Sequence, residues 1–127
     1  MITKGQLGLY IHWPFCLSKC PYCDFNVHVR SAIDYDRWQN AYLKSLEYYA
    51  ERAGDRVLGS IYFGGGTPST MPPHLVEAII EKARSSWRGV NDIEITLEAN
   101  PTSIEIDKFK AFKDVGVNRV SIGVQAL

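Results

Sequence analysis

The chain has 127 residues, 46% hydrophobic and 22% charged, a globular balance sized for one small domain. Lys plus Arg and Asp plus Glu number 14 each, so the net charge is zero and nothing in the balance argues for nucleic acid. No apolar stretch approaches the roughly 20 residues that span a bilayer, and the opening Met-Ile-Thr-Lys-Gly lacks the apolar segment of a signal peptide; a soluble, cytoplasmic protein is expected.

Four short apolar strands alternate with helical stretches. The first strand is expected over residues 7–13. A helix follows over 34–53, where Tyr35, Trp38, Tyr42, Leu46, Tyr49 and Ala53 recur at intervals of three and four and share one apolar face. Gly54 suits its C-terminal stop. The second strand is expected over 57–63 and runs into Gly64-Gly65-Gly66-Thr67-Pro68. A second helix opens near Pro72-Pro73, since proline suits a first turn, and runs toward Trp87. The third strand is expected over 93–98. Thr102-Ser103-Ile104-Glu105 has the capping-box pattern and opens a third helix through Phe109 and Phe112, stopped by Gly116. The fourth strand is expected over 119–125.

This alternation predicts an α/β fold with a parallel sheet and right-handed crossovers. Successive side chains of a strand point to opposite faces. Ile93, Ile95 and Leu97 therefore oppose Glu94, Thr96 and Glu98, and Val120, Ile122 and Val124 oppose Ser121, Gly123 and Gln125. Leu7, Leu9 and Ile11 oppose Gly8, Tyr10 and His12, and Ile61 and Phe63 oppose Tyr62 and Gly64. A doubly wound sheet is apolar on both faces. Here one face is polar and small in every strand, which favours a TIM-like barrel of about four strands with that face lining the interior. Sites in such barrels lie at the C-terminal strand ends, where His12, the glycine turn, Glu98 and Gln125 fall.

Cys16, Cys20 and Cys23 are the chain's three cysteines and follow the first strand with the spacing C-x3-C-x2-C. An odd cluster is a poor disulfide framework and suits metal or redox work in a reducing compartment. Three thiolates can hold a [4Fe–4S] cluster and leave one iron open to a small amino acid ligand. The alternatives are zinc, with His12 or His28 as the fourth ligand a structural zinc site needs, and inert buried thiols in an inactive fragment.

On Cys16, Cys20 and Cys23, the aromatic Tyr22 between the last two, and Gly64-Gly65-Gly66-Thr67-Pro68 after the second strand, the chain resembles the radical S-adenosylmethionine (SAM) superfamily. Leu9-Tyr10-Ile11-His12-Trp13-Pro14-Phe15-Cys16, Leu97-Glu98-Ala99-Asn100-Pro101 and Val120-Ser121-Ile122-Gly123-Val124-Gln125 narrow this to the oxygen-independent coproporphyrinogen III oxidase family. The resemblance implies a [4Fe–4S] cluster on the three cysteines and SAM contacts at Tyr10, Tyr22, Gly65, Gly66, Thr67, Glu98 and Gln125, with the glycine turn receiving the SAM amino group. It implies reductive cleavage of SAM and hydrogen abstraction from a substrate.

Phe25 stands two positions after Cys23, where the oxidase carries a further cysteine, and six residues precede the first strand where the oxidase has a long extension. Both departures resemble the haem-chaperone (HemW-like) branch. That branch implies haem as ligand and a haem-recipient protein as partner, and leaves porphyrinogen oxidation as the alternative. Residues 1–127 are then expected to form the N-terminal part of an incomplete radical SAM barrel, poorly stable alone. Plainer readings stand beside these: Tyr10 as a hydrogen-bonded interior tyrosine, the glycine turn as a simple connector, Glu98 as a surface carboxylate, and Gln125 and His12 as structural hydrogen-bonding groups.

Overall fold

The computed structural model describes residues 6–16, 28–29, 33–99 and 106–122. The described elements are β1 (Gln6–Trp13), β2 (Phe15–Cys16), β3 (His28–Val29), α1 (Tyr35–Ala53), β4 (Val57–Gly65), α2 (Pro73–Ser86), β5 (Arg88–Ala99), α3 (Ile106–Asp114) and β6 (Arg119–Ile122), with a short 3-10 turn over Pro68–Thr70. The main sheet has the order β1-β4-β5-β6, and every ladder is parallel. Its strands therefore follow chain order, as in a barrel wall, with no switch point of the doubly wound kind. The expected α/β fold with four parallel strands and intervening helices is what the chain adopts.

The helices begin where local chemistry dictates. Asp34 caps α1, its carboxylate accepting from the Arg37 N–H at 3.1 Å, and Pro73 opens α2 after Pro72. On the helix side of the sheet, Leu58, Ile61 and Phe63 of β4 and Ile95 and Leu97 of β5 meet Leu75, Val76 and Ile79 of α2 in one buried core. Ile80 and Ala83 extend it along α2, and Phe112 of α3 closes its far end. The opposite face stays open: Tyr10, His12 and Glu94 are exposed there. Thr96 is the buried exception, in register with Tyr62 on one side and Arg119 on the other.

Two strand boundaries and one additional strand pair differ from expectation. β4 continues through Gly64 and Gly65, because both stay in register with His12 and Trp13 of β1. β5 starts at Arg88, five residues early, because Arg88 and Gly89 pair with Val57 and Leu58 ahead of a register shift; the polar run 88–92 carries no alternation that signals a strand. The two-residue pair β2–β3 has no pattern of its own in the sequence. Residues 101–105, which hold the expected capping box, and 123–125 of the expected fourth strand lie outside the described residues.

The α1 stripe is only partly core. Tyr35, Trp38, Tyr42 and Ala53 pack on the core and Leu46 is buried, but Tyr49 is 60% exposed. Beside β1, the edge strand of the described sheet, no described strand lies beneath that side of the helix. Trp38 escapes the same fate because Trp13 and Phe15 close over it at 6.0 and 5.3 Å. Val120 and Ile122, expected against helices, are likewise 37% and 50% exposed on the other edge strand, β6.

Asn118 acts as a surrogate strand residue where β6 begins. Its Nδ2 donates to Ile93 O and its Oδ1 accepts from Ile95 N, both at 2.8 Å, while its own N–H donates to Ile95 O. Asn118→Ala leaves two β5 backbone groups without those partners and is expected to destabilise the chain by about 1–3 kcal/mol. Chemical denaturation measures this, and an unchanged midpoint would show that water replaces the side chain at no cost.

Candidate SAM and cluster site

The site is assembled at the C-terminal ends of the strands from β1, the end of β4 and the end of β5. The β1–β4 ladder runs in register to Trp13 and Gly65. Pairing continues from there into the glycine turn. Gly66 N donates to Trp13 O at 2.6 Å and Thr67 N donates to Phe15 O at 2.7 Å. These two bonds tie the glycine turn to the backbone that leads into Cys16.

Side chains lock the same junction. Trp13 is fully buried, and its indole N–H donates to Thr70 Oγ1 at 2.9 Å. The Thr70 hydroxyl in turn donates to Thr67 O at 2.7 Å. The Trp13 ring meets Phe15 edge-on at 5.0 Å and stacks on Tyr35 at 6.2 Å. Tyr42 reaches from α1 to donate to His12 O at 2.5 Å, and burial pushes its phenol well above the ordinary tyrosine value.

Gly65 is required for steric reasons, and a side chain at Gly64 would displace the tyrosines above it. A Cβ on Gly65 would lie 2.5 Å from Trp13 O, and its φ of 120° is one that residues with a side chain rarely adopt. A Cβ on Gly64 would lie 2.9 Å from Tyr10 Oη and 3.0 Å from the Tyr62 ring.

The N–H groups of Gly65, Gly66 and Thr67 are all committed within the protein, to Glu98, Trp13 and Phe15. The turn is therefore not an anion-binding nest; the Thr67 carbonyl is taken by Thr70, which leaves the Gly65 and Gly66 carbonyl oxygens as the groups that suit an ammonium donor.

On the open face, Tyr10 Oη lies 3.2 Å from His12 Nδ1, and the Tyr10 and Tyr62 rings stack at 6.0 Å with an 18° tilt. Desolvation and, secondarily, the Glu98 charge raise the Tyr10 phenol. Tyr62 donates to Glu98 Oε2 at 2.8 Å, and Gly65 N donates to Oε1 at 3.1 Å. The hydrogen bond to Glu98 is the main cause that raises the Tyr62 phenol, followed by desolvation.

Of the residues expected at the site, the structure joins Gly65 directly to Glu98, links Tyr10 to Glu98 through Tyr62, and places Gly66 and Thr67 next to Gly65 in the same turn. Cys16 is placed by its backbone in β2, beside the turn. Cys20, Cys23, Tyr22 and Gln125 lie outside the described residues. His12 is hydrogen-bonded as expected, though exposed. Sequence reasoning put Tyr62 on the polar face without giving it a role; its neighbourhood with Glu98 across adjacent parallel strands was the available signal. Nothing in the sequence pairs Trp13 with Thr70, 57 positions apart.

Residues 10–127 match the Radical SAM superfamily. The chain belongs to that superfamily. Within it, the chain is 39% identical over 127 residues to the heme chaperone HemW of Escherichia coli K12, covering 99% of this chain and 34% of that protein. It is 40% identical over 122 residues to the mitochondrial radical S-adenosyl methionine domain-containing protein 1 of Bos taurus, covering 96% of this chain and 28% of that protein. Among solved structures it is similar to the E. coli coproporphyrinogen III oxidase HemN, a radical SAM enzyme, with a TM-score of 0.83 and 30% identity over 95% of this chain and 28% of that one. The chain thus spans about a third of the length of these relatives. Among the described residues no helix is long and apolar enough to cross a membrane.

Gly65→Ala is expected to cost about 1–3 kcal/mol through the strained φ and to push the turn away from Trp13. Thermal or chemical unfolding tests this; wild-type stability would mean that the turn relaxes without strain. The raised Tyr42 phenol carries a pH signature. The folded chain holds that proton to higher pH than the unfolded chain, so this contribution is complete below the ordinary tyrosine pKa of about 10 and is lost as pH rises through the raised folded value. Tyr42→Phe is expected to flatten the alkaline loss of stability.

Proposed function

We propose that this chain is part of a radical SAM core domain that holds a [4Fe–4S] cluster on Cys16, Cys20 and Cys23 and binds SAM beside it, in a haem chaperone related to oxygen-independent coproporphyrinogen III oxidase. The reading rests on the pair of backbone bonds from Gly66 and Thr67 to Trp13 and Phe15. They hold an ammonium-accepting turn against the strand that carries the first cysteine, which is the proximity a cluster-bound amino acid requires.

The donor set suits both groups. Three thiolates are soft ligands for iron and leave a fourth position for the amine and carboxylate of SAM. When bound, the pair supplies one-electron reductive cleavage of the sulfonium and hydrogen abstraction. The protein's share is placement. The glycine turn over Gly65, Gly66 and Thr67 receives the ammonium, with the Gly65 and Gly66 carbonyl oxygens as acceptors, Glu98 accepts from a ribose hydroxyl, and Tyr10 flanks the site. Tyr22 and Gln125 are proposed to complete the adenine and ribose contacts.

Phe25 and the 39% identity to the E. coli haem chaperone favour haem delivery over porphyrinogen oxidation. Haem and a haem-recipient protein are then the partners, and a reducing cytoplasm suits three ligand thiols.

Anaerobic reconstitution with iron and sulfide tests the reading. About four irons per chain are expected, with a reduced-cluster EPR signal that changes when SAM is added. Cys16→Ala, Cys20→Ala and Cys23→Ala should each abolish the cluster. Zinc bound without sulfide would overturn the assignment. Haem retained through gel filtration supports the chaperone reading, whereas consumption of coproporphyrinogen III with no haem retention would replace it with the oxidase.

A further inference from the structure

We infer that Tyr62 is a positioning residue for SAM, holding the Glu98 carboxylate in the orientation that accepts the ribose hydroxyls. The inference rests on the proposed reading of Glu98 as a SAM contact and adds a residue to it.

Glu98 is fixed at both oxygens. Tyr62 donates to Oε2 at 2.8 Å and Gly65 N donates to Oε1 at 3.1 Å. An ionised carboxylate has about four acceptor directions, so two remain for a ligand after these bonds. Hydrogen bonds to an ionised acceptor are roughly twice as strong as neutral ones, and an acceptor already held in place loses less freedom when a ligand arrives. Among the described residues Glu98 has no ion-pair partner, and Arg119, in register with Thr96 on this face, is paired with Glu94 at 2.8 Å. The remaining lone pairs of Glu98 suit a neutral donor, and a vicinal diol presents two.

Tyr62 is itself held. Its ring stacks on Tyr10, and both rings lie over Gly64 where a side chain would intrude. It is in register with Thr96 on β5, two residues before Glu98, so the phenol reaches forward along the strand to the carboxylate. Gly65 supplies the second bond from the glycine turn, which makes Glu98 the link between the ribose side of the pocket and the turn that takes the ammonium. The phenol, raised by its bond to Glu98, remains a donor throughout the neutral range.

The test uses the reconstituted full chain and equilibrium binding of SAM and of its 2′-deoxy and 3′-deoxy ribose analogues. Tyr62→Phe keeps the stacked ring and removes only the O–H. It is expected to weaken SAM about fivefold to twentyfold and to narrow the preference for SAM over the deoxy analogues, a ratio that a merely structural role would not move. Glu98→Gln is expected to weaken SAM and erase the same preference. If Glu98→Gln does so and Tyr62→Phe behaves as wild type, the inference about Tyr62 is wrong. If Glu98→Gln also leaves binding and preference untouched, the reading of Glu98 fails instead. A cluster-independent check is the alkaline titration of tyrosinate absorbance in the cluster-free chain, with Tyr62→Phe identifying the Tyr62 component. Glu98→Gln should move that component to lower pH, and a titration unaltered by Glu98→Gln would contradict the hydrogen bond on which the inference depends.

Discussion

The junction between Trp13 and the glycine turn is the constraint on which the site depends. The β1–β4 ladder ends at Trp13 and Gly65, where the chain turns toward its cysteine segment. Gly66 and Thr67 carry the pairing onward by donating to Trp13 O and Phe15 O. That geometry is open only to a residue without a Cβ at position 65, because a side chain there would strike Trp13 O. The Trp13 indole then fastens the outer end of the turn through Thr70, within an aromatic cluster of Phe15, Tyr35 and Trp38. Trp13, Thr70 and Thr67 are linked by consecutive hydrogen bonds, which stiffens the join.

The parallel sheet supplies the second half of the site. Adjacent strands in register align their alternating residues, so the polar residues of β1, β4, β5 and β6 form rows on one face. One row carries Tyr10, Tyr62, Thr96 and Arg119. Glu98 and Ser121 are paired one step further toward the strand ends. The helices bury the other face, and the energy of that burial holds the polar residues in place without any of them contributing to the core.

Much of this was legible in the alternation of the strands. Glu98 and Tyr10 could be assigned to the interior because Leu97 and Leu9 so plainly belong to the helix side. The glycine turn and the cysteine spacing stood out in the sequence because neither follows the alternation of a strand or the periodicity of a helix. What could not be read was whatever depends on register. Tyr62 was visible as a polar-face residue, but its bond to Glu98 exists only once β4 and β5 are aligned. Trp13–Thr70 and Asn118–Ile93 are similarly products of tertiary placement. The exposure of Tyr49 marks the limit of helical periodicity: the pattern identifies a common side of the helix, not whether another element lies under it.

The central claim is that the turn and the cysteine segment together present an amino acid ligand to an iron that the protein leaves open. Mössbauer spectroscopy on chain reconstituted with isotopically enriched iron tests this most directly. The account predicts that adding SAM shifts the isomer shift of one iron and leaves the others unchanged. A spectrum in which SAM alters none of the irons would contradict it, because every iron would then already be fully ligated by the protein.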